Sequence, residues 1–263
     1  MLLRRSCLAL LAAALISCGG CATRVNLAAT APSFADDLAA HPQFALGGVV
    51  VGATVGGRLA PADADDADQA LYRAFLGERP DLVVWPTPAV DGRLAPGQLD
   101  SLRHEYAALG RLRPDQVQPL AAGLEGMRFL VLVRITADQI RSIMPAEPTR
   151  HDQRPGAEGV PENSEAWGQP VRTERQVALT LQVFDLADGA MVWEAAAESR
   201  DRRHYAYADP LSDQDTYVRD RLAGADDPPT VSREGVYLQT PDLVALLEQA
   251  LAEAVQRLPR TTP

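Results

Sequence analysis

Val183-Phe184-Asp185-Leu186-Ala187-Asp188-Gly189-Ala190-Met191-Val192-Trp193-Glu194 decides the fold. Ahead of it Val177, Leu179, Leu181 and Val183 alternate with Ala178, Thr180 and Gln182, the period-2 pattern of a half-buried strand. Asp188-Gly189 is a turn signal, and Met191-Val192-Trp193 resumes the apolar run, so the stretch predicts a β-hairpin.

Working outward, Met127 to Ile135 is nearly all apolar, and Phe129-Leu130-Val131-Leu132-Val133 predicts a strand covered on both faces at the centre of a sheet. Phe44 to Val55 and Leu82-Val83-Val84-Trp85 predict two more strands. Helices are expected between them. Asp63, Asp65, Asp66 and Asp68 precede Ala70-Leu71-Ala74-Phe75, which puts carboxylates at the first turn of a helix, where they suit its dipole, and Gly77 and Pro80 stop it. A cation site is the competing reading of those four aspartates. Leu99, Leu102, Tyr106 and Leu109 with Gly110 as the stop predict another helix, and Val117, Leu120 and Leu124 a third ending at Gly126. Thr240-Pro241-Asp242 caps a final amphipathic helix carrying Leu243, Leu247, Leu251, Val255 and Leu258 on one face. Strands interleaved with helices, a hairpin and a last helix predict an α/β fold, a three-layer or two-layer sandwich with a mixed sheet.

Two stretches punctuate the domain. Arg141 to Pro170 holds five prolines and no periodicity, and Arg200 to Gln239 is polar and spotted with aromatics; both are read as exposed loops near 141–170 and 200–239. A single domain over 44–258 is expected, with a tail at 259–263 and an Ala-rich tether over 18–43. Within that tether Ser33-Phe34-Ala35-Asp36 starts one short helix with Ser33 as N-cap.

The N-terminus supplies an address. Arg4-Arg5, an apolar run from Leu8 to Ile16 and small residues before a cysteine form a secretion signal over 1–17. The run is too short to span a bilayer, which takes roughly 20 apolar residues. Leu15-Ile16-Ser17-Cys18 resembles the lipobox of bacterial lipoproteins, which implies an acylated Cys18, with palmitate among the acyl groups, as the first mature residue. Cys21 is the alternative; Leu15 three residues before Cys18 favours Cys18. Two other readings stand beside this one: an ordinary cleaved signal with incidental cysteines, and a twin-arginine signal from Arg4-Arg5-Ser6. Neither Gly19 nor Ala22 is an Asp, so the resemblance implies the outer membrane, periplasmic face, rather than inner-membrane retention.

Composition excludes several function classes. All 3 cysteines lie in the first 21 residues, which removes an internal disulfide, a Cys-ligated zinc and a cysteine nucleophile from the domain. There is no Lys, hence no Schiff base and no phosphate-loop lysine. The net charge of -10 argues against nucleic acid and against electrostatic adhesion to anionic lipid, so the acyl group is expected to make the membrane contact.

No catalytic motif stands out. His41, His104, His151 and His204 show no metal-ligand spacing and are read as solvated surface residues. Gly52-Ala53-Thr54-Val55-Gly56-Gly57 matches no phosphate-loop pattern and reads as strand plus turn. Asp213-x-Asp215 with Asp220 lacks the glycine and terminal glutamate of a calcium loop. No catalytic residue, cofactor or metal is therefore expected. Tyr205, Tyr207 and Tyr217, with Tyr237, are the candidate partner-binding residues, since tyrosine and arginine anchor interfaces; Tyr205-x-Tyr207 as one face of a strand is the competing account.

Two segments carry a family resemblance. Leu120-Ala121-Ala122-Gly123-Leu124-Glu125-Gly126-Met127-Arg128-Phe129-Leu130-Val131-Leu132 is similar to a helix-turn-strand entry of the form LG-x-R, from which it departs by Glu125 between Leu124 and Gly126. The hairpin is similar to a hydrophobic-D-x-x-x-G-x-x-x-W pattern. Both resemble envelope lipoproteins with an anticodon-binding-like α/β domain, a group that includes the curli secretion-channel lipoprotein and the lipoprotein activator of penicillin-binding proteins. The resemblance implies a non-catalytic accessory, assembly or regulatory protein, anchored to the membrane and binding another envelope protein. A pore is not expected, because Arg141 to Pro170 has too many prolines and Arg200 to Gln239 too many charges for membrane strands. The alternative is a periplasmic enzyme or small-ligand-binding protein with a carboxylate site.

Overall fold

The structure, a computed structural model, describes residues 22–55, 61–143, 168–208, 231–232, 235–236 and 241–260. It is a mixed α/β sandwich. Six strands form one sheet in the order β1-β6-β5-β4-β2-β3, comprising β1 (Ala22–Thr30), β2 (Gln43–Val51), β3 (Val83–Trp85), β4 (Phe129–Ile143), β5 (Gly168–Asp185) and β6 (Met191–Ala208). The helices are α1 (Phe34–Ala40), α2 (Pro61–Glu78), α3 (Thr87–Asp91), α4 (Gln98–Leu109), α5 (Pro114–Val117) running into a 3-10 turn (Gln118–Ala122), and α6 (Leu243–Gln256). A two-stranded pair, β7 (Val231–Ser232) and β8 (Gly235–Val236), stands apart from the main sheet.

The sheet separates two apolar layers, as strand alternation dictates. On one face Phe129, Val131 and Val133 of β4 meet Leu71 and Phe75 of α2 and Leu247, Leu251 and Val255 of α6. On the other, Leu130 and Leu132 meet Leu99, Leu102 and Tyr106 of α4 with Leu120 and Leu124. This explains the unbroken apolar run in β4, which is covered on both sides. The predicted final helix is α6, whose N-cap Asp242 accepts from the Val244 and Ala245 N–H groups at 3.2 and 3.3 Å.

The expected tether is a correction. Residues 22–40 fold onto the domain as β1, antiparallel to β6, and α1. Phe34 and Leu38 are fully buried, and the Phe34 ring meets Phe129 edge-on at 5.4 Å, burial a solvated tether could not offer. Ser33 occupies the N-cap position but its hydroxyl makes no cap hydrogen bond.

The chain divides into two compact units where the sequence reads one domain: Met1–Gln139, Gln176–Arg200 and Asp242–Pro263 form the first, Ile140–Arg175 and Asp201–Pro241 the second. Strands β4, β5 and β6 run on into stretches read as loop, because polar residues at alternate positions suit a strand as well as they suit a loop. In the second unit Arg202 Nε donates to Glu174 at 3.0 Å and Arg175 Nη1 to the Pro241 carbonyl at 3.0 Å.

At β2 the sheet meets a local problem and solves it with side chains. β3 pairs only with Gln43 to Ala45, and a bulge follows between Leu46 and Gly48. Asp68 from α2 accepts from the Val49 N–H at 2.6 Å, Arg103 from α4 donates to the Gly47 carbonyl at 2.6 Å, and Asp68 and Arg103 pair with each other. Gly48 has φ +99°, and a Cβ there would stand 1.7 Å from the Arg103 guanidinium. Asp68 was expected to serve the helix dipole; it instead completes β2 where the neighbouring strand has ended.

Candidate functional site

Polar residues gather on the α4 side of the sheet. Alternation places Arg134 of β4, Gln182 of β5 and Glu194 of β6 on that face, across three neighbouring strands. Gln182 Nε2 donates to Glu194 and lies 3.5 Å from the Gly110 carbonyl, while Arg134 Nε donates to the Ala107 carbonyl at 3.2 Å. Gly110 ends α4 at φ +68°, and a Cβ there would meet Arg134 at 2.5 Å, so the helix ends as close to the cluster as backbone allows.

Tyr106 reaches the same cluster from α4. Its ring packs edge-on to Phe184 at 6.4 Å, and its hydroxyl is buried without a hydrogen-bond partner, as is Gln182 Oε1. Burial first, then the negative charge of Glu194, hold the hydroxyl far above the usual phenol range, with Arg134 pulling the other way. A phenol so held keeps its proton at neutral pH and is no base. The row continues with Gln176, which donates to Glu198 at 2.9 Å and accepts from Arg200 at 2.9 Å. Arg134, Glu194, Glu198 and Arg200 are half-buried, so a polar, hydrogen-bonding face passes into solvent. Sequence reading gave Gln182 only as an alternating position of a half-buried strand and placed Arg200 in a loop; the cluster belongs to the tertiary fold.

A second ordered spot lies at the hairpin turn. Arg128 pairs with Asp185, whose other oxygen accepts from the Ala187 N–H at 2.8 Å, and the Leu186 N–H donates to the Arg128 carbonyl at 2.9 Å. Gly189 has φ +75°, and a Cβ there would stand 2.3 Å from the Pro114 carbonyl oxygen. The arginine of one motif and the aspartate of the other are thus one contact. Trp193 is fully buried in the layer under α2 and α6.

Other candidates fare differently. The N–H groups of Gly52, Ala53 and Val55 donate to the Ile135, Ala107 and Gly52 carbonyls, and Gly56 and Gly57 lie outside the described residues. His41 and His104 are exposed. A shallow depression of about 730 Å3 along α4 is lined by Asp100, Ser101, His104, Glu105, Ala108 and Leu109. No group of three or more His, Cys, Asp or Glu among the described residues could hold a metal ion. No helix among them is long and apolar enough to cross a membrane. Tyr205 and Tyr207 fall within β6, but their side chains lie outside the described residues, as do Cys18, Cys21, His151, Asp213, Asp215, Tyr217, Asp220 and Tyr237 altogether.

What these elements define is an α/β sandwich with one polar sheet face. No family model and no curated protein matches the chain. Among solved structures it is similar to the PelC dodecamer from Paraburkholderia phytofirmans at 12% identity, over 92% of this chain and 99% of that one, with a TM-score of 0.35. Lipoprotein GNA1162 from Neisseria meningitidis matches at 11% identity over 70% and 94%, TM-score 0.28, and the LpoB C-terminal domain from Salmonella enterica at 10% over 67% and 93%, TM-score 0.28.

Proposed function

We propose that this chain is a lipid-anchored envelope protein that binds another envelope protein and catalyses no reaction, held on the periplasmic face of the outer membrane by acyl chains on Cys18. The observation that carries the proposal is Leu15-Ile16-Ser17-Cys18 behind Arg4-Arg5 and an apolar run. Acyl chains contribute about 0.8 kcal/mol per buried methylene, and two or more anchor stably where one does not. The polar sheet face, which the half-buried Arg134, Glu194 and Glu198 carry into solvent, supports recognition rather than turnover. The two unpaired buried atoms also favour a second reading, a small-ligand site at Tyr106, Gln182 and Glu194.

The test is fatty-acid labelling of the tagged full-length protein with membrane fractionation and in-cell crosslinking. Label and outer-membrane recovery should persist in Cys21→Ala and vanish in Cys18→Ala, together with a specific crosslinked envelope protein. Unlabelled protein that is recovered soluble would overturn the anchor. Labelled protein without a crosslink, but with a ligand whose binding Tyr106→Phe weakens, would favour the second reading.

A further inference from the structure

The two edges of the sheet are built differently. β3, at one edge, is three residues long and runs into Pro86, which has no N–H to offer a further strand. β1, at the other, is nine residues long and, among the described residues, pairs with β6 alone. An antiparallel strand bonds its neighbour through alternate residues, so the others in β1 turn their N–H and C=O groups outward. Proteins usually blunt such an edge with charge, proline, shortness or a bulge. β1 has no proline and one charged residue, Arg24, in a chain that carries -10. Its bulge comes late, between Leu27 and Ala29, so Thr23 to Leu27 keeps a regular register. Leu27 is 56% exposed although it lies opposite Ala195, which is fully buried.

The chain ahead of β1 decides what reaches this edge. Cys18 precedes Ala22 by four residues, which span roughly 14 Å when fully extended. However the domain tilts, each copy acylated at Cys18 holds the start of β1 within that distance of the lipid. Every copy therefore carries the same bare strand in the same thin layer. What completes an unpaired strand is another strand, and confinement to one surface brings β1 to β1 at an effective concentration that free solution does not supply.

We infer that β1 pairs antiparallel with β1 of a second copy about a two-fold axis at Val25, joining two six-stranded sheets into one. The inference rests on the acylation of Cys18 proposed above. Charge and the bulge select the register. A two-fold at Arg24 would oppose two arginines, and one at Asn26 would set Arg24 against the bulged Ala28. At Val25 the two-fold sets Arg24 against Asn26 and the exposed Leu27 against Thr23, so no like charges meet and the contact is self-complementary.

The test uses the full-length acylated protein in the Cys21→Ser background, reconstituted into phosphatidylcholine vesicles and oxidised with copper phenanthroline. Val25→Cys places two thiols across the axis, where facing Cα atoms stand about 4.5–5.5 Å apart, within disulfide reach. Thr30→Cys, on the same strand, puts them about 34 Å apart. Circular dichroism confirms the fold of each; should Val25→Cys not fold, Thr23→Cys protein mixed with Leu27→Cys protein reads the same register. A disulfide dimer from Val25→Cys, none from Thr30→Cys, and loss of the dimer when Leu27→Lys is added are the expected results. Equal dimer from both, dimer from Thr30→Cys alone, none from either, or a dimer that survives Leu27→Lys, in protein whose mass shows acyl chains on Cys18, overturns the inference and leaves the anchor standing. Protein whose mass shows no acyl chains fails the anchor, and the inference falls with it.

Discussion

Arg128 and Asp185 stand 57 positions apart and form an ion pair at the point where β4 enters the sheet and the β5–β6 hairpin turns. Asp185 is 5% exposed, so its charge depends on Arg128 and on the Ala187 N–H for the solvation it has lost. Arg128→Ala should cost about 3 kcal/mol, the low end of the range for stranding a buried charge, because Arg128 itself is partly exposed. Asp185→Asn, which keeps an acceptor for Ala187, should cost about 1 kcal/mol. Urea unfolding compares them; equal losses would show that the charge is not what matters.

The β2 edge makes a second prediction. Asp68→Ala removes the acceptor of the Val49 N–H and the counter-charge of Arg103 together, and should cost about 2–3 kcal/mol. It should also expose backbone to edge pairing, visible as concentration-dependent association by size-exclusion chromatography. The Asp68→Ala, Arg103→Ala double variant should lose less than the sum of the two singles. Strict additivity would mean that the two side chains act separately.

Phe34→Ala tests whether the N-terminal segment belongs to the core. A large buried aromatic costs about 3–5 kcal/mol on truncation to Ala, whereas the same change in a solvated tether costs almost nothing. Thermal unfolding distinguishes the two.

Tyr106→Phe deletes a buried hydroxyl that has no partner, and should leave the protein as stable as before or stabilise it by about 1 kcal/mol at pH 7. Because burial and Glu194 raise the folded-state pKa, an unfolded chain gives up this proton near pH 10 while the folded one retains it. Stability is therefore whole below about pH 10 and falls as pH rises above it, and the Phe variant should lose less over that window. Urea midpoints from pH 8 to 11 measure it, and identical slopes would refute the assignment.

Legibility in the sequence followed burial. β4, the hairpin and α6 were readable because each buries a continuous or regularly spaced apolar set. β1 was not, because an edge strand packs one face only, and Ala, Arg and Asn fill the other. α3, five residues long, is too short to show a period. The polar face was invisible because Gln182 and Glu194 look solvated until α4 brings Tyr106 over them. The double motif was readable as two turns, but the contact between Arg128 and Asp185 belongs to the tertiary fold alone.

Asp68 and Arg103 have one more consequence. α2 packs on one side of the sheet and α4 on the other, so their side chains, meeting at the bulge in the space that Gly48 leaves open, rivet the two cores together. Neither helical layer can peel away without breaking a contact that the other needs. The link depends on a residue without a Cβ, because any side chain at 48 would fill the space in which the two helices' charges meet.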